Sequence, residues 1–183
     1  MESLNPIGLY ERAARRAVDV ATGVRAEQLS DATPCTAWTV QDLIDHLVGG
    51  TRYLAAAIDG VEPVGVAGAT ADDFGAGVEA CLDRLGGPGV LEHTCTSPLG
   101  FDWTVLEATA GTFMDVLVHT WDLASATGQS TDLDEELVEA CVAMFLPDMP
   151  ARGRAAGLIG PEVPVPSDAG PQERLLGAMG RRA

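Results

Sequence analysis

The sequence contains no lysine, so its 11 basic residues are all arginines, and 27 acidic residues outnumber them. The net charge at pH 7 is therefore −16. Proteins bind phosphate backbones and anionic membranes by neutralising negative charge with clustered Lys and Arg. We therefore expect neither nucleic acid nor a membrane surface as a partner.

Long hydrophobic runs are also missing. A membrane-spanning helix needs about 20 consecutive apolar residues, and polar residues such as Asp45, His46 and Arg52 interrupt every candidate. No N-terminal stretch combines a charged start with an apolar core, as a signal peptide does. The four cysteines form no CxxC pair, so neither a disulfide framework nor a cysteine-rich zinc site is indicated. These absences predict a reduced, cytoplasmic protein.

The remaining composition is that of an ordinary globular protein, with 46% hydrophobic and 21% charged residues. A chain of 183 residues fits one domain and can bury roughly 70% of its unfolded surface. We find no internal repeat and no linker between domains. Residues 1–183 are therefore predicted to form a single domain.

Apolar residues recur at three- and four-residue steps in five segments, and this period predicts an all-α protein. The predicted helices cover about Leu4–Ala21, residues 39–59, Phe74–Leu85, Val105–Ala126 and a segment from Asp132 to the prolines at 147 and 150. Thr39 with Asp42 is expected to cap the second helix, and Asp102 or Thr104 the fourth. Each of these helices ends near Gly or Pro.

Two segments have no helical period. Residues 89–101 predict an extended excursion or a short hairpin. The tail from Ala151 is rich in Gly and Pro, and residues 173–179 predict one short additional helix within it.

The fourth predicted helix carries a stripe of polar residues. Thr112, Asp115, His119 and Asp122 follow one another at steps of three and four, so they share one face. Apolar residues flank this face on both sides, which indicates that it points into the protein. Burying a carboxylate and an imidazole is costly unless they pair with each other or with a cation.

Asp115 and His119 have two interpretations on this spacing. Residues four apart lie one helical turn apart, so the two side chains can form an ion pair or bind one metal. His46, at the edge of the apolar face of the second helix, is either a solvated histidine or a third ligand. Two imidazoles and one carboxylate suit Zn²⁺ with a fourth position open, and Ni²⁺, Fe²⁺ and Mn²⁺ also fit.

Three segments resemble a known family. Residues 33–47, TPCTAWTVQDLIDHL, resemble the first-ligand helix of the mycothiol-dependent maleylpyruvate isomerase N-terminal family. Residues 115–128, DVLVHTWDLASATG, resemble its second metal helix. Residues 175–181, LLGAMGR, resemble the closing segment of a largely uncharacterised metal-binding subfamily.

The resemblance implies a DinB-like four-helix bundle, here with an additional C-terminal helix and an irregular tail. It implies that His46, Asp115 and His119 are the metal ligands and that mycothiol is a cofactor. Two departures argue against maleylpyruvate isomerisation itself. The position of Asp115 is usually Glu in the isomerase, and the tail is too short to form the separate C-terminal domain of that enzyme.

Five further side chains have alternative interpretations. Asp122 is either an acceptor that orients His119 or a local cap. Trp38 and Trp121 either pack in the core or wall a pocket over the metal. For Cys35 we favour a small buried hydrophobe over a position near the metal. For His93 we favour a solvated side chain in the irregular segment.

Two functions from different classes are compatible with these residues. The leading hypothesis is a zinc-dependent transferase or isomerase that uses mycothiol or another small thiol against a small electrophile. The alternative is a non-catalytic metal-binding, ligand-binding or dimerisation module. No catalytic residue is identified beyond the ligands, and the resemblance is compatible with a homodimer.

Overall fold

The computed structural model describes residues 5–182, and its regular structure is almost entirely helical. The helices are α1 (Pro6–Thr22), α2 (Val40–Asp59), α3 (Ala71–Leu85), α4 (Val105–Thr127), α5 (Glu135–Phe145), α6 (Asp148–Ala155) and α7 (Pro171–Ala178). Strands β1 (Thr94–Thr96) and β2 (Asp102–Thr104) form an antiparallel hairpin between α3 and α4. The predicted all-α class is confirmed. Of the two alternatives for residues 89–101 the structure has the hairpin, but its second strand lies beyond that range.

The chain divides into two compact units, one ending at Thr131 and the other beginning at Asp132. The prediction of one domain over residues 1–183 stays a prediction. No helix among the described residues is both long and apolar enough to cross a membrane.

Helices α1 to α4 form the four-helix bundle of the first unit. Helix α1 packs mainly against α3 and α4, and α2 packs mainly against the same two helices. Large side chains from all four helices are fully buried between them, among them Tyr10, Leu43, Phe74 and Phe113. This arrangement is the DinB-like bundle that the resemblance implied, and it places α2 beside α4.

Three helices of this bundle begin with the same capping box. In each, a Thr side chain accepts a hydrogen bond from the backbone N–H three residues later, and the carboxylate there accepts one from the Thr backbone. The pairs are Thr39–Asp42 in α2, Thr70–Asp73 in α3 and Thr104–Glu107 in α4. The predicted start of α2 is confirmed. For α4 the cap is Thr104 and not Asp102, because the Thr104 side chain accepts the hydrogen bond from the Glu107 N–H.

The other predicted bounds in this unit differ little from the structure. Leu4, the predicted first residue of α1, lies outside the described residues, and the helix ends at Thr22. Helix α3 begins at Ala71, three residues before the predicted Phe74, and Thr70 caps it. Helix α4 ends before Gly128, whose φ of 70° is the left-handed conformation that favours glycine after a helix.

In the second unit the predicted start of α5 is wrong. The cap is Asp134 instead of Asp132, because the Asp134 side chain accepts hydrogen bonds from the N–H groups of Glu136 and Leu137. A cap residue bonds the N–H groups two and three positions after it. Asp134 satisfies this spacing for a helix that begins at Glu135.

Helix α5 ends at Phe145, just before the prolines as predicted, but the prediction missed α6, which follows at once. Pro147 precedes the first residue of α6, and Pro150 lies in its first turn. N–H groups of a first turn have no partner within the helix, so proline costs no hydrogen bond there. The predicted short helix of the tail is confirmed as α7, which packs against α5.

Close packing of α2 on α3 depends on Gly77. A Cβ atom at this position would lie 2.9 Å from Thr51 Cβ and closer still to Thr51 Oγ1. The Thr51 hydroxyl is buried and donates to the Val48 carbonyl. We expect Gly77→Ala to destabilise the protein by about 1–2 kcal/mol, because overpacking outweighs the gain in helix propensity.

Urea denaturation measures this difference in unfolding free energy. Gly75→Ala on the same helix is the matched control, since its Cβ would lie 3.6 Å from Val18 Cγ1, an ordinary contact. Equal stability of the two variants would contradict the prediction.

Candidate metal centre

Three donor side chains from two neighbouring helices meet in the bundle. His46 lies near the start of α2, and Asp115 and His119 lie one turn apart on α4. His46 Nε2 is 3.0 Å from Asp115 Oδ2, and His119 Nε2 is 3.4 Å from Asp115 Oδ1. One donor atom of each residue lies within 4.8 Å of the other two. The structure thus brings together the three residues that the sequence suggested as ligands.

These separations fit a small divalent cation. In a tetrahedral zinc site, metal–ligand distances of about 2.0–2.1 Å place neighbouring donor atoms about 3.3 Å apart. Asp115 Oδ1 lies 3.2 Å from His46 Nε2 and 3.4 Å from His119 Nε2, and both separations are close to this value. Two imidazoles and a carboxylate are also the donor types that zinc accepts in sites with an open position.

A second carboxylate orients His119. Asp122 Oδ2 lies 2.8 Å from His119 Nδ1, and the Asp122 side chain is fully buried. An N–H at Nδ1 that donates to Asp122 leaves the lone pair of the ring on Nε2, which faces Asp115. The structure therefore places Asp122 where an acceptor that fixes the imidazole has to lie.

Without a cation, the cluster is held together by charge. Partial burial raises the pKa of Asp115, but the neighbouring His46 and His119 imidazoles lower it more, so the pKa lies well below its usual range. Burial lowers the pKa of His119, but Asp115 and then Asp122 raise it well above its ordinary value. A cation would take the place of this positive charge beside Asp115.

The site is accessible from one side. The side chains of His46 and Asp115 are 33% and 35% exposed, whereas His119 is only 9% exposed. The Trp38 ring covers both imidazoles, with centroid distances of 4.6 Å to His46 and 5.6 Å to His119. A molecule from solvent can therefore approach His46 and Asp115 beside the indole.

A pocket of about 400 Å³ opens beside His46 and Trp38. Its wall consists of Ala37, Trp38, Asp42, Asp45, His46, Gly49, Val64, Gly65 and Val66. Trp121, the other tryptophan considered as a wall, is buried on α4 and does not line this pocket. Beside the His46 imidazole, the lining contains two carboxylates and no Arg, which favours neutral or positively charged ligands.

Comparison with known proteins identifies a family and relatives of similar length. Residues 10–90 match the family described as mycothiol maleylpyruvate isomerase N-terminal domain. The chain is 33% identical over 188 residues to an uncharacterised protein of Mycobacterium tuberculosis strain CDC 1551, and equally to one of strain H37Rv. Each alignment covers 97% of this chain and 98% of the relative.

The chain belongs to the mycothiol maleylpyruvate isomerase N-terminal domain family. The matched range contains Trp38 and His46 but ends before α4. The family match therefore does not include Asp115 and His119, and only their positions in the bundle place these two residues beside His46. No solved structure matches the chain significantly.

Our interpretation of Cys35 as a buried hydrophobe is wrong. The side chain is half-buried, and its Sγ lies 3.6 Å from Asp122 Oδ2 and 4.0 Å from His119 Nδ1. The thiol therefore faces polar atoms on the Nδ1 side of His119, whereas the other two candidate ligands lie on its Nε2 side. Its place three residues before Trp38, within the loop that leads into the ligand helix, was the only signal in the sequence. His93 is exposed, as predicted, with Nδ1 3.3 Å from the Ile58 carbonyl oxygen.

Proposed function

We propose that this protein binds one Zn²⁺ through His46, Asp115 and His119 and catalyses the reaction of a low-molecular-weight thiol, mycothiol, with a small electrophile. One observation carries the proposal: two imidazoles and a carboxylate from two helices converge beside an open pocket. Three protein ligands with a free position are typical of catalytic zinc sites. Ni²⁺, Fe²⁺ and Mn²⁺ accept the same donors.

The exposed fractions of His46 and Asp115 support an open fourth position on the solvent side. When bound there, Zn²⁺ lowers the pKa of a coordinated thiol, so that the nucleophilic thiolate persists at neutral pH. Asp122 keeps the proton of His119 on Nδ1 and so directs the Nε2 lone pair to the ligand cluster. Trp38 shields both imidazoles from water on one side.

The charge of the pocket favours a particular class of reactants. Asp42 and Asp45 line the wall beside His46, and both carboxylates bind only neutral N–H and O–H donors in the contacts observed. A substrate carboxylate would be repelled there. We therefore propose a neutral or cationic electrophile, and not the dicarboxylate maleylpyruvate.

The test is conjugate formation between mycothiol and monobromobimane by the zinc-loaded protein. We expect the wild-type rate to exceed that of His119→Ala by at least on the order of 10- to 100-fold, the loss typical of disturbing a metal site. His93→Ala serves as the control for loss of a histidine outside the site. Cys35→Ser is a second control, because it removes a half-buried thiol of the protein that could itself react with the bimane.

Equal rates for the wild-type protein and His119→Ala would contradict the enzyme proposal. The alternative, a non-catalytic metal-binding module, would be favoured by one further result. In that case the protein binds one equivalent of zinc, but mycothiol changes neither the rate of conjugate formation nor the spectrum of the bound metal.

A further inference from the structure

The second ring nitrogen of His119 belongs to another group of donor atoms. Cys35 Sγ, His119 Nδ1 and Asp122 Oδ2 all lie within 4.8 Å of one another. The sulfur is 3.6 Å from the carboxylate oxygen and 4.0 Å from the nitrogen. His119 and Asp122 are buried, whereas Cys35 is half-buried, so this group is reached from the side of the thiol.

We propose that Cys35, His119 and Asp122 form a second cation site, selective for thiophilic ions, that competes with the first site for the His119 imidazole. The first group, His46, Asp115 and His119, offers only nitrogen and oxygen. A thiolate donor selects thiophilic cations, zinc among them, whereas imidazole and carboxylate donors alone also accept harder ions such as Mn²⁺. The two groups therefore differ in the ions they prefer.

Charge also favours a divalent ion in the second group. One thiolate and one carboxylate together neutralise a 2+ ion, and a neutral ensemble reduces the cost of placing charge beside the fully buried Asp122. The sulfur–oxygen and sulfur–nitrogen separations already suit a shared ion. Only the short His119–Asp122 contact of 2.8 Å has to lengthen, by roughly half an ångström for a tetrahedral site.

Cys35 is not an additional ligand for an ion in the first group. The lone pairs of Nδ1 and Nε2 point away from each other in the ring plane, and Cys35 lies on the Nδ1 side. A neutral imidazole offers only one lone pair, because the other nitrogen carries the proton. An ion on Nε2 therefore needs the proton on Nδ1, and an ion on Nδ1 needs it on Nε2.

When an ion binds the second group, two protons change place. The Cys35 thiol releases its proton to solvent, and the imidazole proton sits on Nε2, where Asp115 Oδ1 lies 3.4 Å away as an acceptor. A thiophilic ion would thus withdraw His119 from the zinc site, and exposure to such ions would compete with zinc binding.

Cadmium is the probe, because its bond to a thiolate gives a charge-transfer absorption band in the ultraviolet that nitrogen and oxygen ligands do not give. We expect wild-type protein to develop this band with one Cd²⁺, and His46→Ala to develop it as well, since the second group is intact. Cys35→Ser is expected to lose the band. Cys95→Ser, which removes the other half-buried thiol, is the matched control and keeps it.

Competition between zinc and cadmium tests whether the two groups share the His119 imidazole. Prior loading with one Zn²⁺ should weaken the cadmium band of the wild-type protein more than that of His46→Ala, because only the wild-type protein can hold zinc in the first group and because cadmium binds a thiolate more tightly than zinc does. A band that persists in Cys35→Ser, or that fails to form in a folded His46→Ala protein, would overturn the proposal. Because His46→Ala lacks the zinc site, these results are independent of the proposed enzyme activity.

Discussion

Replacing His119 by alanine is expected to abolish stoichiometric zinc binding and the thermal stabilisation that zinc gives the wild-type protein. An ion held by side chains from α2 and α4 binds the folded chain in preference to the unfolded one. It therefore stabilises the fold by about 4 kcal/mol when free zinc exceeds its Kd by a thousand-fold. For a bundle of this size, that is a rise in melting temperature of about 10 °C.

Differential scanning calorimetry with and without a chelator measures this shift. His93→Ala is the matched control, because His93 is exposed and lies outside both donor groups. It should keep the full zinc-dependent shift. If Asp115 and the two imidazoles formed only an ion-pair cluster, chelation would leave the wild-type melting temperature unchanged. A wild-type-sized zinc shift in His119→Ala would equally contradict the assignment of this ligand.

The second large effect is expected from Asp122→Asn, which leaves all three ligands in place. We expect zinc affinity to fall on the order of 10- to 100-fold, as it does when partners that orient a ligating histidine are changed. The amide carbonyl can still accept a hydrogen bond from Nδ1, but it has no negative charge to strengthen the His119 nitrogen as a metal ligand. Competition with a chromophoric chelator measures the affinity.

Asp45→Asn separates orientation from general destabilisation. Asp45 precedes His46 on α2, but its carboxylate accepts hydrogen bonds from the N–H groups of Gly68 and Ala69, and does not contact a ligand. We expect this variant to lose about 1–2 kcal/mol of stability with unchanged zinc affinity. Equal losses of affinity in the two variants would mean that Asp122 does not act through His119.

The helix of the polar stripe was predictable because the signals that define it are local. A capping residue and a following glycine mark the ends of α4, and the period of 3.6 residues places Asp115, His119 and Asp122 on one face. The same period showed that this face is enclosed by apolar residues. The burial of His119 and Asp122, and the contact of His119 with Asp115 and Asp122, follow from one helix alone.

The partner of this stripe was less predictable, because it comes from another helix. His46 lies at the edge of the apolar face of α2, where a histidine is as compatible with solvent as with a site. Its position 3.0 Å from Asp115 follows from the packing of α2 on α4, which periodicity does not determine. The resemblance to the family supplied this ligand where the residues alone left two interpretations.

The loop before α2 explains why Trp38 and Cys35 could not be placed from the sequence. Residues 33–38 have no regular period, and their conformation depends on hydrogen bonds that only the fold provides. The Thr33 side chain donates to the carbonyl groups of Cys35 and Trp38, and Ala32 pairs with Thr39. These contacts turn the indole over the imidazoles and the thiol towards Asp122.

X-ray absorption at the zinc edge, on protein loaded with one equivalent of Zn²⁺, tests the three-ligand centre most directly. We predict a shell of nitrogen and oxygen atoms only, at about 2.0–2.2 Å, with imidazole scattering that decreases in His46→Ala. A sulfur atom at about 2.3 Å, or a spectrum that His46→Ala leaves unchanged, would contradict zinc binding by His46, Asp115 and His119.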